Sequence, residues 1–460
     1  MKYYSTRGRN DPVNFARAAL TGLAPDGGLF IPEEIPPYPG AVRASLGEMD
    51  YRDIALETIR PYVAGEIPGQ VLEEMVRAAY PFDAPLVAAG DRLVLELFHG
   101  PTAAFKDFGA RFMALAFSWL RRNEDRPLHI LVATSGDTGG AVADGFFGVE
   151  GISVTVLYPR GRVSPLQERQ IAGLGGNIAA LSVDGGFDDC QALVKAAFAD
   201  AALRERLVLS SANSINVSRL IPQAAYYAAA AGRAFAGKTD PDGEATPRAP
   251  GAGTPAGAGN AARFGAAAGQ PLAVCVPSGN FGNLTAGLYA MKMGAPIARF
   301  IAATNINKTV PDYLAGAEYE ARPSRATISN AMDVGAPSNF ERMASHWSGG
   351  ELRRMILGAW ASDDDTRKTI EQVRREYGYF LDPHGAVGWN AAGRTALSGA
   401  PGAGPLAVLA TAHPAKFAEI VEPLAGPPPV PASLRRVMER EIRARAIPAD
   451  IEALKETLLQ

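Results

Sequence analysis

Short apolar runs and amphipathic stretches alternate along the middle of the chain. The stretches with helical apolar spacing include Phe105–Leu120 and Leu284–Met293. The apolar runs predict strands, at Leu93–Phe98, His129–Ala133, Val154–Tyr158, Ala179–Val183, Val208–Ser210, Leu272–Val276, Arg299–Thr304 and Ala407–Thr411. Because strands and helices alternate, the pattern predicts an α/β fold built on parallel, doubly wound sheets.

The pattern also divides the chain into regions. Residues 1–95 are predicted to be mainly helical, with Pro-rich connections, and residues 426–460 to form terminal helices, including one over Leu434–Arg445. Between them, residues 96–236 and 272–425 are predicted to form two α/β domains, the smaller covering roughly 125–215. Residues 237–271 are dense in Gly, Ala and Pro, which predicts a flexible surface insertion.

Composition narrows the possible partners. A net charge of −3 gives no reason to expect a nucleic acid or an anionic membrane, and no apolar window is long enough to cross a bilayer. The five histidines show no zinc-ligand spacing, so no metal site is expected. Two cysteines in 460 residues and the lack of a signal peptide at the N-terminus favour a cytoplasmic protein.

Lys106 is the first candidate for chemistry. It lies in His99-Gly100-Pro101-Thr102-Ala103-Ala104-Phe105-Lys106-Asp107-Phe108, at the start of an apolar helix. A helix N-terminus disfavours a structural cation, and apolar flanks would lower the pKa of the amine and make it more nucleophilic. The alternative is an ordinary solvated lysine.

Two polar loops follow predicted strands and precede helices. In Ser278-Gly279-Asn280-Phe281-Gly282-Asn283, the glycines let backbone N–H groups approach an anion, as in a phosphate cradle. Ser135-Gly136-Asp137-Thr138-Gly139-Gly140 offers hydroxyls and backbone donors that suit a carboxylate. The alternatives are a plain strand–turn–helix connection for the first loop and a helix cap by Ser135 or Asp137 for the second.

A fourth cluster groups amides, hydroxyls and a guanidinium. Ser211-Ala212-Asn213-Ser214-Ile215-Asn216-Val217-Ser218-Arg219 places Arg219 close to Asn213 and Ser214 in the sequence. Arginine matches phosphate oxygens with paired donors. A polar loop with a salt-bridged arginine is the alternative.

In this order, the four segments resemble those of the threonine synthases, in their longer bacterial and fungal form. Further segments that look familial are Pro25-Asp26-Gly27-Gly28-Leu29, Ser329-Asn330-Ala331-Met332-Asp333 and Thr411-Ala412-His413-Pro414-Ala415-Lys416. The resemblance implies a fold-type II pyridoxal-phosphate enzyme, similar to tryptophan synthase β, with its active site between the two α/β domains. It spans nearly the whole chain, although region 345–405 matches least and the 237–271 insertion is longer than usual.

The resemblance also implies roles for individual residues. Lys106 corresponds to the Schiff-base lysine. The cofactor phosphate would be held by Gly279, Asn280, Phe281, Gly282 and Asn283. Asp137 stands near the cofactor's ring oxygen, and Thr411 faces its pyridine nitrogen. Ser135 and Thr138 would hold the substrate carboxylate, and Asn213, Ser214 and Arg219 the substrate phosphate.

The implied reaction converts O-phospho-L-homoserine and water to L-threonine and phosphate, in a monomer or homodimer. One alternative is a serine or threonine dehydratase of the same fold, whose substrate has no phosphate for Asn213, Ser214 and Arg219 to bind. The other is a catalytically inactive phosphate-binding protein, against which the intact Lys106 argues.

Overall fold

The computed structural model describes residues 1–240, 268–395, 397 and 404–459. The described chain forms two mainly parallel sheets with helices packed on them and one small antiparallel sheet, so the predicted α/β fold is confirmed. Most of the predicted 237–271 insertion, residues 241–267, lies outside the described residues. No helix among the described residues is both long and apolar enough to cross a membrane.

The described residues contain fourteen strands, which are numbered in chain order. Their bounds are β1 Tyr3–Ser5, β2 Gly8–Val13, β3 Phe30–Pro32, β4 Leu86–Ala89, β5 Arg92–Glu96, β6 Leu128–Ala133, β7 Ile152–Pro159, β8 Ile178–Asp184, β9 Val208–Ser211, β10 Leu272–Pro277, β11 Ile297–Thr304, β12 Ile356–Trp360, β13 Leu406–Ala410 and β14 Ala444–Pro448.

The α-helices are numbered in the same way. Their bounds are α1 Phe15–Thr21, α2 Gly40–Ser45, α3 Tyr51–Val63, α4 Gly69–Ala79, α5 Lys106–Arg121, α6 Asp137–Phe146, α7 Pro165–Ala172, α8 Phe187–Ala199, α9 Ala201–Arg206, α10 Val217–Leu220, α11 Ala224–Phe235, α12 Gly282–Met293, α13 Thr309–Leu314, α14 Ser338–His346, α15 Gly349–Met355, α16 Asp363–Tyr377, α17 Pro383–Gly393, α18 Ala418–Ala425, α19 Ala432–Met438 and α20 Ile451–Leu458. Three 3₁₀ turns lie at Ile221–Gln223, Asn330–Met332 and Pro414–Phe417.

The large sheet has the strand order β12-β11-β10-β13-β5-β4, with only β4 antiparallel to its neighbour. β10 and β13 are buried along their whole length, as expected of parallel strands covered by helices on both faces. Because β4 and β5 belong to this sheet, the predicted domain boundary at residue 95 cuts across its edge.

The small sheet has the order β14-β8-β7-β6-β9, with all strands parallel. Its edge strand β14 corrects the predicted helix over Leu434–Arg445: α19 ends at Met438, and the chain then extends along β8. Only Ile447 of β14 is buried, so the strand carries little apolar signal in the sequence.

The N-terminal region contains helices α1 to α4, as predicted, together with the antiparallel sheet β2-β1-β3. Aromatic packing secures this region against the rest of the molecule. The rings of Tyr51 and Phe108 meet edge-on with centroids 5.5 Å apart, and the Tyr80 hydroxyl donates to the Phe108 carbonyl. The start of α5, where Lys106 lies, is therefore anchored from the N-terminal side.

Candidate active site

One cavity of about 600 Å³ opens beyond the carboxyl ends of β6, β10 and β13. This is where parallel α/β sheets usually place a ligand site. All thirteen residues assigned a role from the sequence lie on its wall: Lys106, Ser135, Asp137, Thr138, Asn213, Ser214, Arg219, Gly279, Asn280, Phe281, Gly282, Asn283 and Thr411. The structure thus brings together segments separated by up to 305 residues, while the individual roles stay predictions.

Lys106 is held by the backbone of the segment that follows β13. The Phe105 N–H donates to the Thr411 carbonyl at 2.9 Å, and the His413 N–H donates to the Ala103 carbonyl at 3.0 Å. The Lys106 side chain is 13% exposed, which excludes the fully solvated alternative. Burial lowers the pKa of its amine to about 8, reinforced by Lys416 and Arg219 and opposed by Asp137. At pH 7 roughly one-tenth of such an amine is unprotonated, against less than about one-thousandth of an ordinary lysine.

Asp137 lies between two lysines. Its Oδ2 is 3.6 Å from the Lys106 Nζ, and its Oδ1 is 2.7 Å from the Lys416 Nζ. Gln167 Nε2 also donates to Oδ1, at 2.9 Å. Burial alone would raise the pKa of Asp137, but the two ammonium groups outweigh it and hold the pKa well below its usual range. Asp137 is thus a carboxylate in the site, and it does not cap helix α6 with its side chain.

In the glycine-rich loop after β10, the backbone packs closely against a neighbouring segment. Phe281 adopts a left-handed backbone, with φ at 60°, immediately before α12. A Cβ at Gly279 would come within 2.5 Å of the Ala331 carbonyl oxygen. The Tyr226 and Tyr227 hydroxyls both donate to the Oδ1 of Asn283 and so fix the orientation of its amide, and the buried Nδ2 has no hydrogen-bond partner among the described residues. A buried donor without a partner indicates a ligand acceptor.

Asn213, Ser214 and Arg219 form the part of the cavity wall that adjoins the glycine-rich loop. Asn280 Nδ2 donates to Ser214 Oγ at 2.7 Å, which connects this cluster to the glycine-rich loop. Arg219 is 2% exposed and donates to the Ala212 carbonyl, and its Nε has no partner among the described residues. No ion pair of Arg219 is present in the described chain, so the salt-bridged alternative does not hold. The guanidinium keeps donor capacity for an anion.

Ser135, Thr138 and Thr411 complete the wall. Thr134 Oγ1 accepts from the N–H groups of Gly136 and Gly139 at 2.9 Å each and fixes the turn that presents Ser135 and Thr138. Thr411 follows β13 directly and is 6% exposed. The hydroxyls of these three residues therefore line the same cavity as the Lys106 amine.

Several residues that support the site carry no assignment from the sequence. Arg342 is fully buried and donates to the Phe30 and Ile215 carbonyls and to Asn339, whose amide donates to the Ser214 and Asn280 carbonyls. The other residues are Lys416, Gln167, Tyr226, Tyr227 and His384. Lys416 could have been noticed, because a lysine within a Pro-flanked, otherwise apolar segment is unusual. Arg342 and Asn339 lie on an ordinary-looking helix, and nothing local distinguishes them.

The comparisons with known proteins agree with this geometry. Residues 2–80 match the family described as threonine synthase N terminus, residues 90–412 the pyridoxal-phosphate-dependent enzymes, and residues 385–458 the threonine synthase C-terminal family. The threonine synthase of Escherichia coli is 41% identical over 461 residues, covering 100% of this chain and 99% of that protein.

Solved structures give the same answer. The crystal structure of the Escherichia coli threonine synthase aligns with a TM-score of 0.85 at 39% identity, covering 100% of this chain and 99% of that one. A threonine synthase from Brucella melitensis with bound pyridoxal phosphate aligns at 0.83 and 36%, covering 100% and 98%. A tomato threonine deaminase shares only the fold, at 0.52 and 14% identity over 80% of this chain and 87% of that one. The resemblance seen in the sequence is confirmed: the chain belongs to the threonine synthase family of pyridoxal-phosphate-dependent enzymes.

Proposed function

We propose that this protein converts O-phospho-L-homoserine and water to L-threonine and phosphate, using pyridoxal phosphate. The observation that carries the proposal is the pairing of two anion-binding groups around one amine. The glycine-rich loop suits the cofactor phosphate, and the buried Arg219 cluster suits a second phosphate on the substrate.

The residues present fit the cofactor. The missing side chain of Gly279 lets the loop pack against the Ala331 carbonyl, which holds its backbone N–H groups in place, and Asn283 Nδ2 supplies a buried donor that has no partner among the described residues. We assign the cofactor phosphate to residues 279–283, the covalent link to Lys106, the ring oxygen to the neighbourhood of Asp137, and the ring nitrogen to Thr411. When bound, pyridoxal phosphate withdraws electrons from the substrate and makes the protons on Cα and Cβ removable.

Lys106 moves the protons in this proposal. With the substrate in place of Lys106 on the cofactor, the Lys106 amine would take the proton from Cα and then one from Cβ. A pKa near 8 suits this task, because such an amine both accepts and returns protons near neutral pH. Phosphate leaves from Cγ, water adds at Cβ, and protons return to Cγ and Cα.

The walls of the cavity direct the reaction. Ser135 and Thr138 hold the substrate carboxylate, while Asn213, Ser214 and Arg219 hold the phosphate until it leaves. Fixing both ends of the substrate places Cα and Cβ within reach of one amine, and the mostly buried wall limits the access of bulk water.

The dehydratase alternative gains no support from the site. A serine or threonine substrate would leave the Arg219 guanidinium and its amide neighbours without an anion. The relative with deaminase activity is distant, at 14% identity, and indicates the fold alone.

A phosphate-release assay on O-phospho-L-homoserine, run alongside an absorbance scan, tests the proposal. We expect phosphate and threonine in equal amounts, and a visible absorbance band from the cofactor bound to Lys106. Lys106→Ala should lose both the band and the activity. Lys308→Ala should lose neither, since Lys308 lies off the cavity and pairs with Asp312. Ammonia release from threonine, without phosphate release from phosphohomoserine, would contradict the proposal.

We also propose that the protein works in the cytoplasm, as a monomer or homodimer. Support for the location comes from the two cysteines, Cys190 and Cys275, which are buried free thiols as expected in a reducing compartment. Cell fractionation tests the location, and light scattering tests the oligomeric state.

A further inference from the structure

Asp137 has two lysine neighbours, but only one of them lies on the cavity wall. Lys106 lines the cavity, whereas Lys416 does not and its side chain has no exposed surface. Lys416 approaches Asp137 more closely, at 2.7 Å against 3.6 Å for Lys106. The tighter ion pair of the carboxylate is therefore made with the lysine that no ligand reaches.

The surroundings of Lys416 fix it in place. Its Nζ also donates to the Thr102 carbonyl at 2.9 Å, and its own carbonyl accepts from Ser164 Oγ at 2.9 Å. Lys416 lies in the turn after β13 of the large sheet, and Asp137 begins the helix after β6 of the small sheet. The ion pair consequently connects the ends of the two sheets at the point where Lys106 projects.

The charge of the Asp137–Lys416 ion pair affects protonation of the Lys106 amine. A buried carboxylate without a counter-ion would attract a proton to the nearest amine. With Lys416 in place, the negative charge of Asp137 is already balanced. The Lys106 nitrogen then lies beside a neutral pair instead of an isolated anion.

We propose that Lys416 is a positioning residue: as the permanent counter-ion of Asp137, it sets the charge at the Lys106 nitrogen and keeps that nitrogen ready to lose its proton. The inference rests on Lys106 being the cofactor-bearing lysine. It assigns to Lys416 an electrostatic role in the reaction without contact with substrate.

Other charged groups face the same two residues. Arg219 also lies close enough to Lys106 to disfavour its protonation, and Asp107 faces Arg219 in turn. His384 faces Asp137, and Gln167 Nε2 donates to it. All of these remain in the variants below, so their contributions are constant across the series.

The experiment is a pH titration of the visible band of the holoenzyme in four forms. These are the unchanged protein, Lys416→Met, Asp137→Asn and the double variant. The band reports protonation of the nitrogen that links Lys106 to the cofactor. Removing Lys416 alone exposes that nitrogen to an uncompensated carboxylate, so the titration midpoint should rise by about one pH unit, a ten-fold change in proton affinity.

The double variant separates charge from packing. Removing both charges should return the midpoint close to that of the unchanged protein, and Asp137→Asn alone should lower it. A packing defect at residue 416 would persist in the double variant. Lys455→Met serves as the matched control, because Lys455 forms a lysine–aspartate pair with Asp200 away from the cavity. Its midpoint should not move.

An unchanged or lowered midpoint in Lys416→Met would overturn the proposal, as would a rise that survives in the double variant. If Lys416→Met does not fold, Asp137→Asn still decides, because an Asp137→Asn midpoint that equals the unchanged protein's excludes the effect. The Lys106→Ala variant tests separately whether Lys106 carries the cofactor. A visible band that persists in this variant contradicts that assignment, whatever the titrations show about Lys416.

Discussion

Strain at single residues is concentrated at the candidate site. Among the described residues, the two other than glycine with left-handed backbone are Ala103, with φ at 52°, and Phe281, with φ at 60°. One lies three residues before Lys106 and the other in the glycine-rich loop, and both are buried. Such conformations cost about 1–3 kcal/mol each and persist only where the surrounding packing enforces them. The protein thus tolerates local strain where it must aim an amine and a set of N–H groups.

Arg219 should affect substrate binding more than cofactor binding. Replacing it by Ala removes the buried guanidinium with an unpartnered Nε, so the KM for phosphohomoserine should rise at least about ten-fold, in keeping with the loss of a charged hydrogen-bond donor. The cofactor band should remain. Steady-state kinetics and an absorbance scan check this, with Arg233→Ala as control because Arg233 pairs with Asp83 off the cavity. An unchanged KM would remove Arg219 from the substrate site.

Cofactor binding should require glycine at position 279, because no side chain fits there. In Gly279→Ala the new Cβ would meet the Ala331 carbonyl oxygen at 2.5 Å, so the loop must shift away from its present position. We expect affinity for pyridoxal phosphate to fall by about ten-fold or more, measured by equilibrium titration of the visible band. Gly40→Ala offers open space for the Cβ and should bind the cofactor normally. Equal affinity in both variants would contradict the role of the loop.

At the scale of elements, the strands that the sequence predicted best are those buried by helices on both faces. The strands that flank the site, such as β6 and β10, are buried on both faces and appear as continuous apolar runs, so their predicted bounds differ from the observed ones by one residue at an end. The edge strands β12 and β14 each bury only one residue, and neither was predicted, whereas the edge strand β9 was predicted to within one residue. The site residues on motifs were predictable, whereas Lys416 and Arg342 were not assigned, since their partners come from distant segments.

The hydrogen-bonded cluster around Arg342 should stabilise the fold by joining separate elements, and it should take no part in the chemistry. Its guanidinium joins the carbonyls of Phe30 and Ile215 to Asn339 on α14. Arg342→Met would leave these buried acceptors without donors, at a cost of about 3 kcal/mol. Urea unfolding should show the loss directly. Exposed Arg354→Met on α15 is the control and should change the unfolding free energy little. A stability loss no larger than the control's would show that the Arg342 cluster contributes nothing to the free energy of unfolding.

At the scale of the whole molecule, two histidines make stability depend on pH. Burial lowers the pKa of His129 and of His346 to about 4, with Arg342 adding to the effect at His346. Because the folded pKa lies below the unfolded value of about 6.5, their contribution is complete above pH 6.5 and is lost as the pH falls toward 4. The two residues lie on separate elements, His129 on β6 and His346 at the end of α14.

We therefore expect the free energy of unfolding to drop by roughly 2 kcal/mol per histidine between pH 7 and pH 5. Urea unfolding at both pH values measures the drop. His129→Gln should flatten this pH dependence. A substitution at an exposed position that carries no histidine should leave it unchanged. Asp107 and Asp333, whose pKa burial raises to about 6, act in the opposite direction over this range, so the comparison with His129→Gln decides: an unchanged pH dependence in that variant would refute the role of His129.

The edge strand β14 has a consequence for how the chain is made. It pairs with β8, more than 250 residues earlier, and β13 likewise pairs with β5 across more than 300 residues. A ribosome adding residues in order completes neither sheet until nearly the whole polypeptide has emerged. Until then β8 and β5 present open backbone edges to other chains. Such long sequence separations slow folding, so we expect these edges to stay open longer than they would in a fold whose neighbouring strands follow one another in sequence.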